Sequence, residues 1–89
     1  MAILIKVDGT RKEVQPRNGT DFSLEELQDF VDGYIEHVSL PRPFKGNTEM
    51  WLNEEGKLIG LPRNEFATIL YGCDVIVGDV LICKKNEVL

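Results

Sequence analysis

Residues suited to binding an anion lie at and just before positions 60–64, at the predicted start of a second helix. Lys57 and Arg63 are cationic, and Asn64 has a side chain of the type that caps helices. The free N–H groups of a helix N-terminus carry partial positive charge, so a phosphate group could bind there between the two cations. The sequence contains neither a Walker loop nor a G-x-G-x-x-G motif, and most helix starts bind only water. A purely structural role for these residues therefore stays open.

Two aromatic rings and two polar side chains could complete a nucleotide site. Trp51 and Tyr34 offer flat faces on which a base can stack, although each ring could equally belong to the core. Asn53 and Glu54 could bind ribose hydroxyls or base edges. Glu54 and Glu55 are adjacent on a predicted turn and point apart, so they do not form a catalytic acid–base pair.

The residue types of nucleophilic and metal chemistry are scarce. His37 is the only histidine, which excludes a multi-histidine metal site. Cys73 and Cys83 are too few for a disulfide framework and lie in or beside apolar segments, so we expect two reduced, buried thiols. An apolar setting raises the pKa of a thiol, which disfavours a Cys–His nucleophile pair. The sequence predicts no enzyme and no cofactor; a small nucleotide hydrolase with His37 or Glu54 as the base is the alternative.

Acidic residues dominate the predicted first helix and its flanks. Between residues 21 and 36 there are six acids and no Lys or Arg: Asp21, Glu25, Glu26, Asp29, Asp32 and Glu36. The helix dipole favours acids near the start of a helix, whereas Asp29 and Asp32 lie near its end. A basic partner or a DNA-mimicking surface would explain the pattern, and a solvated face that keeps the protein soluble is the other reading.

Length and charge limit the classes of protein to consider. The 89 residues include 10 Lys and Arg against 15 Asp and Glu, a net charge of -5, which opposes general nucleic-acid binding. No apolar run approaches the roughly 18 residues of a membrane span, and Lys6 interrupts the apolar start too early for a signal peptide. We expect a single cytoplasmic domain over residues 1–89, with a core so small that a homo-oligomer would stabilise it.

Short alternating apolar segments predict strands at residues 3–7, 10–15, 34–40, 48–52, 57–59, 75–77 and 80–83. Asp8-Gly9 suits a two-residue hairpin turn. Residues 53–56 read as a second tight turn, with Gly56 at a positive φ, which makes 57–59 the partner strand of a second hairpin.

The first predicted helix has clear local signals. Ser23 and Glu26 form a capping box, in which each side chain satisfies a free backbone N–H group. Phe22 and Leu27 stand where a hydrophobic staple would place them. Gly33 can take the left-handed conformation that ends the helix.

A second helix is predicted over residues 63–71, capped by Asn64 and closed by Gly72. Its apolar residues share one face: Phe66, Ile69 and Leu70. The element order is then ββαβββαββ, an α+β fold on a small, mainly antiparallel sheet of six to seven short strands.

Six sequence blocks are distinctive in order and spacing: Leu24-Glu25-Glu26-Leu27-Gln28, Gly33-Tyr34-Ile35-Glu36, Asn53-Glu54-Glu55-Gly56-Lys57-Leu58, Gly60-Leu61-Pro62-Arg63-Asn64, Ala67 and Ile76-Val77-Gly78-Asp79. Through them the chain resembles, over residues 24–83, the small phage and mobile-element proteins of the family called domain of unknown function 3846. It departs from the family pattern at Asp32, where a small residue or glycine is common, and in a loop at 41–47. That loop places two cations near an aromatic ring: Arg42, Phe44 and Lys45.

The resemblance implies a setting rather than a reaction. It implies a small protein of a phage or integrated element that acts in the bacterial cytoplasm, where such proteins often inhibit host defence. By analogy with small phage proteins that sequester immune signals as oligomers, the leading hypothesis is a binder of a cyclic dinucleotide or a cyclic ADP-ribose derivative, without turnover. Its ligand-binding residues would be Tyr34, Trp51, Asn53, Glu54, Lys57, Arg63 and Asn64. The alternative is an acidic protein-interaction module that inhibits a host enzyme or mimics DNA.

Overall fold

A computed structural model describes residues 2–40, 48–84 and 87–88 of the chain. Its elements are β1 (Ala2–Ile5), β2 (Arg11–Val14), α1 (Leu24–Val31), β3 (Ile35–Ser39), β4 (Thr48–Asn53), α2 (Glu65–Tyr71) and β5 (Val80–Lys84). The strands form one five-stranded antiparallel sheet in the order β2-β1-β5-β4-β3. The predicted α+β class on an antiparallel sheet is confirmed. The described residues hold five strands instead of six to seven, in the order ββαββαβ.

Each face of the sheet packs against one helix. Because side chains alternate across a strand, Met50 of β4 and Ile82 of β5 face one side, where they pack with Ala67 of α2. Leu81 of β5 faces the other side and packs with Leu27 of α1. The core is therefore two apolar layers, one between the sheet and α2 and one between the sheet and α1.

The start of α1 forms as its local sequence predicts. Ser23 is the N-cap, its hydroxyl accepts from the Glu26 N–H, and the Glu26 carboxylate accepts from the Ser23 N–H. Phe22 and Leu27 are both buried in the same cluster, as expected of a staple. The helix ends one residue earlier than predicted, because Asp32 and not Gly33 takes the left-handed conformation, with φ 60° and ψ 49°. At Asp32, where the family pattern has a small residue or glycine, this chain holds a side chain in a backbone conformation that glycine adopts more easily.

Two of the predicted strands are wrong. Residues 57–59 belong to a run of turns at 54–60, in which the Ile59 N–H donates to the Glu55 carbonyl and the Leu61 N–H to that of Gly56. They cannot pair with β4, because β3 and β5 occupy both of its edges. Residues 75–77 contribute a single bridge, between Val77 and Arg63.

The turn predictions are also corrected. The β1–β2 hairpin is present, but Ile5 pairs with Arg11, so five residues rather than Asp8-Gly9 alone connect the strands. Gly56 is not among the residues with positive φ. Gly56 is buried, and a Cβ there would lie 2.8 Å from a Val77 methyl group, so close packing rather than a positive φ favours glycine at this position.

The helix α2 is capped as predicted, by the side chain of Asn64 at its start and by Gly72 in the left-handed conformation at its end. Its predicted apolar face is only partly correct. Leu70 packs against the core, whereas Ile69 is 73% exposed. The small Ala67 takes the fully buried position and lets the helix lie close to the sheet. Cys73, predicted to be buried, is exposed in the bend that follows α2.

Candidate functional site

Asn53, predicted to contact a ligand, instead braces the chain internally. Its side-chain amide donates to the carbonyl oxygens of Val31 (3.1 Å) and Asp32 (3.2 Å) at the end of α1. Its side-chain oxygen accepts from the Glu55 N–H at 2.8 Å. Asn53 therefore ties the end of α1 to the turn that follows β4, and all three interactions are within the protein.

Asn64 has the same kind of role on the other face of the sheet. Its side-chain amide donates to the carbonyl oxygens of Ile5 (3.0 Å) and Gly78 (2.9 Å), and its side-chain oxygen accepts from the Ala67 N–H at 3.1 Å. The residue is only 1% exposed. An amide that uses both N–H groups and its oxygen inside the protein is not free to read a base edge or a ribose.

Residues 78 and 79 pack close to Leu61 and Val7 near the Asn64 contacts. A Cβ at Gly78 would lie 2.8 Å from the Leu61 side chain, and Gly78 has a φ of 78°. The Asp79 carboxylate accepts from the Val7 N–H at 3.0 Å. Much of the distinctive sequence at 53–64 and 76–79 is therefore explained by contacts within the protein. A ligand or partner could be bound only by the exposed side chains of these blocks.

A groove of about 280 Å³ lies on the α2 face, between β3, the 54–58 turn and residues 71–77. Its apolar surface comes from Val38, Leu52, Leu58, Tyr71, Val75, Ile76 and Val77. Its charged residues are Glu36, Glu54, Lys57 and Asp74. The volume lies near the lower limit of small-molecule pockets, so the groove suits one long side chain or a small ligand.

The electrostatics of the groove favour a cation. The Lys57 Nζ lies 2.7 Å from the Asp74 Oδ2, and its hydrogen bond, together with the Val75 N–H, holds the pKa of Asp74 below its usual value. Lys57 is thereby neutralised by a neighbour. Glu36 and Glu54 make no ion pair within the residues that the structure describes. The groove therefore carries about two unbalanced negative charges.

The other predicted ligand-binding residues lie apart from the groove. The Arg63 Nε is 3.1 Å from the Glu65 Oε2, so an acid in the first turn of α2 balances this cation. Tyr34 is 65% exposed and lies near Asp29 and Asp32 at the C-terminal end of α1. Of the seven predicted residues, the groove brings together Asn53, Glu54 and Lys57, and it excludes Tyr34, Trp51, Arg63 and Asn64.

Trp51 belongs to a polar cluster on the α1 face that was not predicted from the sequence. The His37 Nδ1 lies 2.8 Å from the buried Glu49 carboxylate, and the His37 ring lies 4.7 Å from that of Trp51. Among the described residues, the buried Trp51 Nε1 has no hydrogen-bond partner. The one sequence feature that could have predicted this cluster is the alternation of side chains along β3 and β4, because it places His37, Glu49 and Trp51 on one face of the sheet.

Cys83 lies next to this cluster as the strand partner of Glu49. Burial raises the pKa of its thiol to about 12, so it stays protonated at neutral pH. A protonated, buried thiol is a poor nucleophile, and the geometry gives no support to a Cys–His pair.

The acids of α1 divide into two groups. Glu26 is used internally, since the N–H groups of Arg17 and Ser23 donate to its carboxylate and hold its pKa below the usual value. Asp29 pairs with Arg17 at 3.3 Å. Glu25 and Asp32 are exposed and, among the described residues, unpaired. The cations Arg42 and Lys45 and the ring of Phe44 lie outside the described residues.

Comparison with known families identifies the chain. The model of the family described as a domain of unknown function, DUF3846, matches residues 1–88. This chain belongs to the DUF3846 family. No curated protein and no solved structure matches it. In this DUF3846 protein, no helix of the described residues is long and apolar enough to cross a membrane.

Proposed function

We propose that this protein acts by binding a basic segment of a partner protein in the acidic groove, without turnover. One observation carries the proposal. Lys57 is neutralised by Asp74, so that among the described residues Glu36 and Glu54 are the unbalanced charges of a groove with an apolar floor.

A lysine or arginine side chain matches this surface in both of its parts. Its aliphatic stem would pack on Val38, Leu52 and Leu58, and its charged head would lie near Glu36 and Glu54. Because an exposed ion pair contributes only about 0–1 kcal/mol, burial of the stem must supply much of the affinity of each contact. Strong binding would therefore need several basic residues in one segment.

Capture of a nucleotide-type signal stays a prediction, and the geometry supports it less. The two cations assigned to phosphate, Lys57 and Arg63, are each paired with a carboxylate. The assigned polar contacts of Asn53 and Asn64 are made inside the protein. A phosphate in the groove would also meet Glu36 and Glu54, which repel it. We further propose that the basic partner is a host enzyme, in the phage setting that the family resemblance implies.

Titration of ¹⁵N-labelled protein with two sets of ligands tests the proposal. One set holds hexapeptides rich in lysine and arginine, and the other holds cyclic dinucleotides and cyclic ADP-ribose. We expect amide shifts around residues 36, 54 and 58 with the basic peptides only. The double variant Glu36→Gln with Glu54→Gln should weaken this binding about tenfold, as expected for the loss of two charge-assisted contacts of about 0.7 kcal/mol each.

A matched control separates the groove from overall charge. Glu13 and Glu25 are exposed on β2 and α1, and neither lines the groove. Glu13→Gln with Glu25→Gln changes the net charge by the same amount and should leave binding within about twofold. Equal losses in both double variants would mean that binding is diffuse attraction to an acidic protein, and the proposal would be abandoned.

A further inference from the structure

The outer edge of β3 has backbone groups that no described residue binds. The Glu54 N–H donates to the Tyr34 carbonyl and the Leu40 N–H donates to the Thr48 carbonyl, so the even-numbered residues of this segment point their backbone groups at β4. In an antiparallel pair, the alternate residues point theirs the opposite way. The N–H and C=O groups of Ile35, His37 and Ser39 therefore face outward, since β3 is the last strand of the sheet.

The two edges of the sheet differ in how they are protected. The β2 edge has four residues and includes Arg11 and Lys12, and charged side chains on an edge strand, lysine above all, commonly block strand addition. The β3 edge has five residues and contains no Lys, Arg or Pro. Of the two edges, β3 is therefore the longer and the one without basic side chains, so it is the less protected against an added strand.

The open edge borders the acidic groove. Glu36 and Val38 of β3 point to the α2 face and line the groove. A strand added beside β3 would place every second side chain on that same face, next to Glu36. Charge complementarity therefore selects an occupant that has lysine or arginine at alternate positions.

We propose that the basic segment binds as an added sixth strand along β3, with its alternate basic side chains in the groove. This inference rests on the proposed function and specifies the conformation and sequence pattern of the partner. Main-chain hydrogen bonds to Ile35, His37 and Ser39 hold the segment, and the groove carboxylates select its charge.

The first test is amide hydrogen exchange, measured by NMR with and without a hexapeptide of alternating lysine and valine. The N–H groups of Ile35, His37 and Ser39 become protected in the complex, and N-methylation of the peptide at alternate residues removes the protection while leaving its charge unchanged. Unchanged exchange at all three positions with bound peptide overturns the strand addition.

The second test uses a matched pair of variants at Ser39. Ser39→Pro removes one outward N–H and no bond to β4, and Ser39→Ala keeps that N–H. We expect peptide affinity to fall about fivefold or more in Ser39→Pro and to stay within about twofold in Ser39→Ala, as loss of one hydrogen bond predicts. Equal affinities in the two variants overturn the inference.

The outcomes separate this inference from the proposed function. If the peptide binds, depends on Glu36 and Glu54, and leaves the β3 edge unprotected, the groove function stands and the added strand is wrong. If no basic peptide binds, both fail. If the edge amides become protected with rising protein concentration and no peptide, a second copy of the chain occupies the edge, and the inference is also wrong.

Discussion

The internal role of Asn64 leads to a prediction that separates structure from ligand binding. Replacing Asn64 with Ala removes the cap of α2, which typically costs about 1 kcal/mol. It also leaves the buried carbonyl groups of Ile5 and Gly78 without their donor, at about 1 kcal/mol each. We therefore expect the free energy of unfolding to fall by about 3 kcal/mol, equivalent to a Tm lower by about 12–24 °C in a domain of this size.

Two further variants show which part of the side chain matters. Asn64→Asp keeps an oxygen for the Ala67 N–H but presents a second oxygen to the two carbonyl groups, so it should not restore stability. Asn18→Ala is the surface control. Its hydrogen bonds join exposed groups that return to water, so it should cost about 1 kcal/mol or less.

Urea denaturation followed by circular dichroism measures all three variants. An Asn64→Ala variant that is no less stable than Asn18→Ala would show that the Asn64 hydrogen bonds do not stabilise the fold. An Asn64→Asp variant that is as stable as the wild type would show that the two carbonyl groups contribute nothing. If Asn64 served a ligand instead, Asn64→Ala would fold as well as the wild type.

Three further predictions follow from local geometry. Gly78→Ala should destabilise the protein by about 2 kcal/mol or more, because φ is 78° there and a Cβ would lie 2.8 Å from a leucine side chain; unchanged urea denaturation would contradict this. Lys57→Met should raise the pH at which the Asp74 carboxyl titrates in ¹³C NMR. In the wild type the ion pair is present above the usual pKa of that carboxyl and is lost as pH falls through its lowered pKa. The difference in stability between the variant and the wild type should therefore vanish in acid. An unchanged titration midpoint of Asp74 in the variant would contradict this prediction. At pH 8, a thiol reagent should modify Cys73 rapidly and Cys83 only after denaturation, and two fast thiols in the folded protein would show that β5 is not buried as described.

Local sequence signals predicted the N-terminal caps of both helices correctly because the causes of those caps are local. The capping box of Ser23 and Glu26 spans four residues, and the Asn64 cap reaches only to Ala67. The strand prediction at 57–59 failed for a non-local reason. Alternation in a short segment does not show that both edges of β4 are already occupied by β3 and β5.

The candidate site was predicted in part. Glu54 and Lys57 do line the groove, but their partners were not visible in the sequence. Asp74 lies 17 residues from Lys57 in the sequence and neutralises the charge that was expected to bind phosphate. Asn64 is of a residue type that often contacts ligands. Only the fold brings it to the carbonyl of Ile5, 59 residues away in the sequence. Residue type indicated where chemistry was possible, and long-range pairing decided which charges remained free.

Reversal of the charge at Glu36 and Glu54 tests whether the acidic groove binds the basic segment. Fluorescence anisotropy can follow a labelled hexapeptide of alternating lysine and valine and a labelled cyclic dinucleotide on the same protein. We predict that the wild type binds the peptide and not the nucleotide, and that Glu36→Lys with Glu54→Lys abolishes peptide binding. Nucleotide binding by the wild type that is lost on mutation of Lys57 and Arg63 would contradict the account and support capture of an anionic signal instead.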